Sequence, residues 1–300
     1  MELTRNLKRY MTGADVRWVK DYLLVLGYYD DSIKKITNNR YGNDTYKAVK
    51  AFQKANNLTV DGIYGQKSHK KLTAVINKKD KVSEYVTAKD FPRISEKARA
   101  AINVALTEVS QERRDFVLLQ LAHATDASIA SMFKYPSSLY IRGGNLYGKD
   151  RKTLNVITEK YLTTTYKKKY ESYCTSGRLD MMVKAVRANP GTTGSDCSGG
   201  PVGAHRHLGH VAANFDDTAN GLLGGHSVAV KKENLTAGDY IGKSGHICTY
   251  AGGGYMIEWA GGEYGCQLTK VSDRRAWSYT KKKMVKLSAC TKYRQPKVFS

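Results

Sequence analysis

The sequence predicts an α+β chain of two domains, a small all-α unit followed by a larger mixed one. Three observations predict it. Residues 4–76 carry apolar positions at helical spacing in three short runs divided by glycine-containing turns. Residues 95–132 and the stretch after Cys197 again read as helices, and from about residue 228 the pattern turns to short strands divided by glycine clusters. The chain of 300 residues exceeds the roughly 100–200 typical of one domain, and 41% hydrophobic residues suffice to bury a core.

In the first unit, Val16, Val19, Leu23 and Leu26 mark a helix over Asp15–Leu26 that Gly27 stops. Tyr46, Val49 and Phe52 form one stripe of a second helix, Asp44–Ala55, with Asp44 placed to cap it. Asp61-Gly62 marks a turn, and Gln66–Ile76 reads as a third helix. Gly13-Ala14-Asp15-Val16, Leu26-Gly27-Tyr28-Tyr29, Ala51-Phe52-Gln53-Lys54-Ala55 and Leu58 to Gly65 together resemble the peptidoglycan-binding domain found beside many wall hydrolases. The resemblance implies that residues 1–77 bind peptidoglycan. A three-helix spacer is the other reading of the same residues, because such a pattern records a fold more than a contact surface. Polar residues 78–95 read as a linker, leaving 96–300 as the second domain. Ser95 is placed to cap its first helix.

The formal net charge is +22, with an excess of +8 in residues 1–90 and +14 in the rest, so no single basic tail carries it. Such a field favours polyanions, nucleic acid or anionic wall polymers alike. The Lys/Tyr-rich run at 160–173 reads as an exposed, partly helical insertion, and no nucleic-acid-binding motif accompanies it. No apolar run is long enough to span a membrane. The opening MELTRNLKRYMTG lacks the apolar stretch of a signal peptide. Five cysteines, an odd number without a CxxC, do not make a disulfide framework and raise the question of a nucleophile.

Cys197, in Ser195-Asp196-Cys197-Ser198-Gly199, stands at the start of a helix expected over Ser198–Leu208, where unpaired N–H groups and the positive dipole end favour thiolate. Pro201 falls in the first turn, where its missing N–H costs little. His246 opens a strand that passes through Gly252-Gly253-Gly254 and returns as Tyr255 to Ala260. A loop centred on Gly252 sets Glu258 directly opposite His246 on one face, whereas a two-residue loop shifts the register by one and sends Glu258 to the other. With the first register, Cys197, His246 and Glu258 fill the nucleophile, base and orienting roles of a triad. His205, His207, His210 and His226 do not sit on one helix face with a completing carboxylate or cysteine, so no metal site and no cofactor is expected.

These residues resemble the NlpC family of papain-like cell-wall cysteine peptidases, in the branch common in phage lysins. The match rests on Asp196-Cys197-Ser198-Gly199, on Gly245-His246 with Tyr250, on Leu235 to Tyr240, and on Tyr140-Ile141-Arg142-Gly143-Gly144. It implies a papain-like domain, with the nucleophile helix packed on an antiparallel sheet. It further implies that Tyr140, Asp196 and Ser198 contact substrate, with Asp196 holding the free amine of a stem peptide. Gly200-Pro201 and Arg142 depart from the family pattern, and the stretch from Gly144 to Asp196 contains an inserted lobe. The implied activity is endolysin-like cleavage of a stem-peptide amide, D-γ-glutamyl–diamino acid. The alternatives are an N-acetylmuramoyl-L-alanine amidase or a non-catalytic wall-binding protein. Such a protein would be made in the host cytoplasm and reach the wall by a holin-like route.

Overall fold

The structure, a computed structural model, describes residues 3–30, 32–33, 36–80, 85–175 and 177–300. It divides into two compact units, Met1–Val82 and Ser83–Ser300.

In the first unit the three apolar runs form α1 (Ala14–Val25), α2 (Asn43–Ala55) and α3 (Gln66–Asp80). Val16, Val19, Leu23, Val49, Phe52 and Leu72 meet in one core. Gly42, and not Asp44, takes the cap position of α2. Asp44 lies in the first turn, where its charge still faces the positive helix end. Gln53 explains why the Phe-Gln pair and the Asp-Gly turn travel together. Its Oε1 accepts from the Gly62 N–H at 2.9 Å, and its Nε2 donates to Asp61 Oδ1 at 2.8 Å and to the Ile63 carbonyl at 3.0 Å. Gly62 has φ 72°, which glycine adopts without strain.

α3 runs past residue 77 to Asp80. Of the expected linker at 78–95, residues 81–84 lie outside the described residues, and residues 85–95 pack into the second unit. Val86 and Ile94 are buried in its main core, and the Val86 N–H donates to Asn103 Oδ1 at 2.8 Å. Their apolar positions follow no helix or strand period, so the pattern did not register as structure. α4 (Glu96–Leu106) is capped by Ser95 as the sequence predicts, and α5 (Gln111–Leu121) by Ser110. There follow β1 (Thr125–Asp126), a short 3-10 turn and β2 (Ser138–Tyr140).

The inserted lobe holds α6 (Glu159–Tyr161), a single π-helical turn over Leu162–Tyr166, α7 (Lys167–Lys169) and α8 (Arg178–Ala188). Its 160–173 run is exposed and partly helical, as the composition suggests, except at two buried positions. Leu162 and Tyr166 are buried against Ile141, Ile157, Met181 and Met182, while Thr163, Thr164, Thr165 and the three lysines that follow Tyr166 face outward. β3 (Thr193–Ser195) then leads into α9 (Gly199–His207), followed by α10 (Ala219–Leu223) and β4 (Ser227–Ala229). The remaining strands are β5 (Tyr240–Lys243), β6 (His246–Gly252), β7 (Tyr255–Trp259), β8 (Cys266–Lys270), β9 (Arg275–Ser278), β10 (Lys283–Lys286) and β11 (Lys292–Pro296).

The main sheet runs β1-β8-β7-β6-β5-β11-β4, antiparallel except for the parallel edge pair of β1 with β8. Ile102, Leu106, Val117 and Leu121 of α4 and α5 pack on Ala251, Ile257, Trp259 and Leu268 of one sheet face. Val202 and Ala204 of α9 share a cluster with Ile247, Tyr240 and Cys197. The helix that follows the cysteine therefore lies on an antiparallel part of the sheet, and the second unit is α+β.

Candidate active site

Two local devices shape the turn at Cys197. β2 pairs in parallel with β3, setting Tyr140 beside Ser195, and the Ile141 N–H donates to the Ser195 carbonyl at 2.8 Å. Asp196 then clamps the first turn of α9. Its Oδ1 accepts from the Ser198 N–H at 3.1 Å, the Gly199 N–H at 2.7 Å and Ser198 Oγ at 3.1 Å, while Oδ2 accepts from the Gly143 N–H at 2.8 Å. Ser198 occupies the cap position with its hydroxyl turned to Asp196. Asp196 and Ser198, expected to contact substrate, thus meet each other and the backbone in this structure. Tyr140 lies next to the thiol, and its own pKa is raised by burial and then by the proximity of Cys197.

The α9 glycines permit this approach. A Cβ on Gly199 would lie 1.9 Å from the Gly144 carbonyl oxygen, and one on Gly203 2.6 Å from the Tyr147 nitrogen. A Cβ on Gly200 would lie 2.2 Å from the Trp259 ring. The indole fills the volume that a side chain at position 200 would need.

Cys197 is 8% exposed. The sequence expects a thiolate here, but burial and then the Asp196 charge push the thiol up to about 11, against the lowering influence of the Ile247, Ser198 and Cys197 N–H groups. The resting side chain is therefore a thiol, and it donates to the Gly245 carbonyl at 3.9 Å. Gly245 sits in the β5–β6 turn with φ 71°, and its N–H donates to Asn220 Oδ1 of α10 at 2.9 Å. Asn220 anchors the turn that lies against the thiol.

His246 follows that turn as the first residue of β6. Its Nε2 lies 2.8 Å from Glu258 Oε2 and 2.7 Å from Arg274 Nη2. Glu258 is fully buried on β7 and also accepts from Thr269 Oγ1 at 2.6 Å and Arg274 Nε at 3.0 Å. Burial would raise its pKa. Hydrogen bonds from His246 and Arg274 reverse that and hold it at about 2. Glu258 is thus ionised at neutral pH and oriented on the imidazole.

The expected same-face relation of His246 and Glu258 occurs, but not through the expected register. The loop is the two residues Gly253 and Gly254, with Gly252 paired to Tyr255, which alone would turn Glu258 to the other face. A bulge between Tyr250 and Gly252 shifts the register by one more and restores the parity, so that Thr249 pairs with Ile257. Glu258 then reaches His246 on a diagonal, not from directly across.

Sequence reasoning missed Arg274 and Asn220. Arg274 follows β8 in a run of polar residues with no spacing signal, and only the fold returns it to Glu258. Of the four histidines set aside as metal ligands, His205 and His210 meet each other while His207 and His226 lie with other partners. His205 stacks on Phe116 and bonds Tyr240 Oη at 2.8 Å and His210 at 3.0 Å, His207 bonds the Arg151 carbonyl, and His226 pairs with Asp217.

Fold and site define a two-unit α+β protein in which a buried cysteine just before a helix lies against the Gly245 turn, and that turn leads into a strand-borne histidine–glutamate–arginine cluster. Comparison with known proteins adds the following. Residues 12–72 match the family described as "Putative peptidoglycan binding domain". The chain is 36% identical over 87 residues to the N-acetylmuramoyl-L-alanine amidase CwlL of Bacillus licheniformis, a match covering 29% of this chain and 23% of that protein. The match thus spans about a quarter of the amidase's length. No solved structure matches. No helix among the described residues is long and apolar enough to cross a membrane.

Proposed function

We propose that this chain is an endolysin-like peptidoglycan hydrolase, a papain-like cysteine peptidase of the NlpC kind with a wall-binding unit at its N-terminal end. The observation that carries the reading is the buried His246–Glu258–Arg274 cluster at the head of β6, beside the turn that covers Cys197. The likeness of residues 12–72 to a peptidoglycan-binding family supports the wall as the partner.

The resting thiol is protonated, so attack must be coupled to proton removal. His246 takes the proton on Nδ1, because Nε2 is held by Glu258. The ionised carboxylate stabilises the imidazolium that forms. The thiolate attacks an amide carbon of the stem peptide, D-γ-glutamyl–diamino acid. The oxyanion takes the Cys197 N–H, since Asp196 already engages those of Ser198 and Gly199. His246 returns the proton to the departing amine, and water releases the acyl group. Tyr140 lines the cleft beside the thiol, and Asp196, with Ser198, bounds it on the helix side.

The test is mass spectrometry of fragments released from purified peptidoglycans by the natural protein and by Cys197→Ala. Fragments formed only by the natural protein, with a new amino group on the diamino acid, are expected. Intact stem peptides freed from muramic acid would instead identify an amidase. No release, with the protein still sedimenting with the wall, would leave a binding protein.

A further inference from the structure

We infer that His246, Cys248 and Cys290 form a binding site for a zinc-class divalent ion, occupied in competition with the imidazole's part in hydrolysis. One donor atom from each residue lies within 4.8 Å of the others. Cys248 Sγ and Cys290 Sγ are 4.0 Å apart. A tetrahedral ion with Zn–S bonds of about 2.3 Å spaces two sulfurs by about 3.8 Å, whereas a disulfide needs about 2.05 Å. The sulfurs stand at the metal spacing. Two sulfurs and an imidazole are a soft set that selects zinc over magnesium or calcium, and three protein donors leave a fourth position open.

The fold explains the grouping. Cys248 is two residues beyond His246 on β6 and so shares its face. Cys290 arrives just before β11, where the Thr291 N–H donates to the Gly242 carbonyl at 3.0 Å. The two cysteines are 42 positions apart in the chain, so no sequence spacing marks the site. Both are buried, and His246 stands at the partly open end of the group. Charge balances as well. Glu258 and Arg274 neutralise each other beside the group, and two thiolates neutralise a dication. An ion that takes Nε2 displaces both Glu258 Oε2 and Arg274 Nη2 from it, while the guanidinium keeps Glu258 and the Ser288 carbonyl, 2.7 Å from Nη1.

Only the competition with hydrolysis rests on the proposed function. The ion itself is tested without it, by titrating cobalt(II) into the full chain carrying Cys197→Ala. About one equivalent should bind with sulfur-to-cobalt charge-transfer absorption, and zinc should displace it. Affinity should fall more than tenfold in both Cys290→Ser and Cys248→Ser. X-ray absorption at the zinc edge of the protein with its natural cysteines needs neither variant to fold, and should report two sulfurs at about 2.3 Å with nitrogen or oxygen completing the set. Absence of charge transfer, an oxygen- and nitrogen-only shell, or unchanged binding in a folded Cys290→Ser protein overturns the site. In the hydrolysis assay, zinc should inhibit and a chelator should restore activity. Zinc bound as described to a protein that cuts no wall keeps the site and sinks the hydrolase. Cleavage with no bound zinc does the reverse.

Discussion

At the scale of single residues, the site depends on a buried charge and its neutralising partner. Glu258 has no exposure, and its folded pKa of about 2 lies below the ordinary 4.5. Its ionised form is the one the fold favours, so this contribution is complete above about pH 4.5 and is lost as pH falls toward 2. His205 adds a slope of the same sign. Burial lowers its pKa from 6.5 to about 3, so the unfolded chain takes up the proton first and stability declines as pH drops through that window. Urea unfolding at a series of pH values should therefore show stability falling from about pH 6.5 downward, with His205→Phe flattening the upper part of the fall. Glu258→Gln should abolish wall cleavage and cost about 3–5 kcal/mol, because it strands Arg274 as an unpaired buried cation. Adding Arg274→Met should recover much of that stability and none of the activity. A Glu258→Gln protein as stable as its parent would show that the pair does not hold this end of the sheet. Of this cluster, His246 and Glu258 stand out in the sequence as residues, but the register that brings them to one face needs the bulge between Tyr250 and Gly252, which local parity does not record. Arg274 does not stand out, because its partner is reached through the β8–β9 turn and no linear period records that path.

At the scale of elements, α9 is legible as a helix, but its glycines are not legible as contacts. In an isolated helix Gly200 and Gly203 look like defects, each costing about 1 kcal/mol relative to alanine. In the fold they let α9 lie against the backbone at 144–147 and the Trp259 ring. The sign of a substitution separates the two situations. Gly203→Ala would be stabilising by helix propensity alone, yet its Cβ meets a backbone nitrogen that cannot yield. Thermal unfolding should show Gly203→Ala and Gly200→Ala each destabilised by about 1–3 kcal/mol. Cleavage should fall with them, since Cys197 moves with the helix start. Either variant with a raised midpoint would mean that α9 stands farther from the strand. The β6–β7 hairpin carries the same lesson in another form. Its glycine turn marks a hairpin, but the bulge that restores the face of Glu258 depends on packing around Gly252, whose Cβ would lie 2.2 Å from that of Ala105 on α4. No rule of turn length foresees it.

At the scale of the whole molecule, two units with separate cores divide the work that the proposed function requires. The net charge of +22 is shared between them, so attraction to an anionic wall does not belong to the first unit alone. The Debye length is about 10 Å at 0.1 M salt and about 3 Å at 1 M, so long-range attraction is screened while contacts inside a fitted cleft survive. Residues 1–82 expressed alone should sediment with purified wall and persist in part at 1 M salt. Residues 83–300 alone should cut a soluble muropeptide at close to the full rate of the whole chain, because every member of the site lies there. On insoluble wall the same fragment should be at least about tenfold slower at low enzyme concentration, since it loses the raised local concentration that tethering provides. Raising salt should slow the whole chain on wall and leave its rate on the muropeptide nearly unchanged. Equal slowing on both substrates would place the charge effect inside the catalytic cleft, and equal rates of fragment and whole chain on wall would leave the first unit without a targeting role.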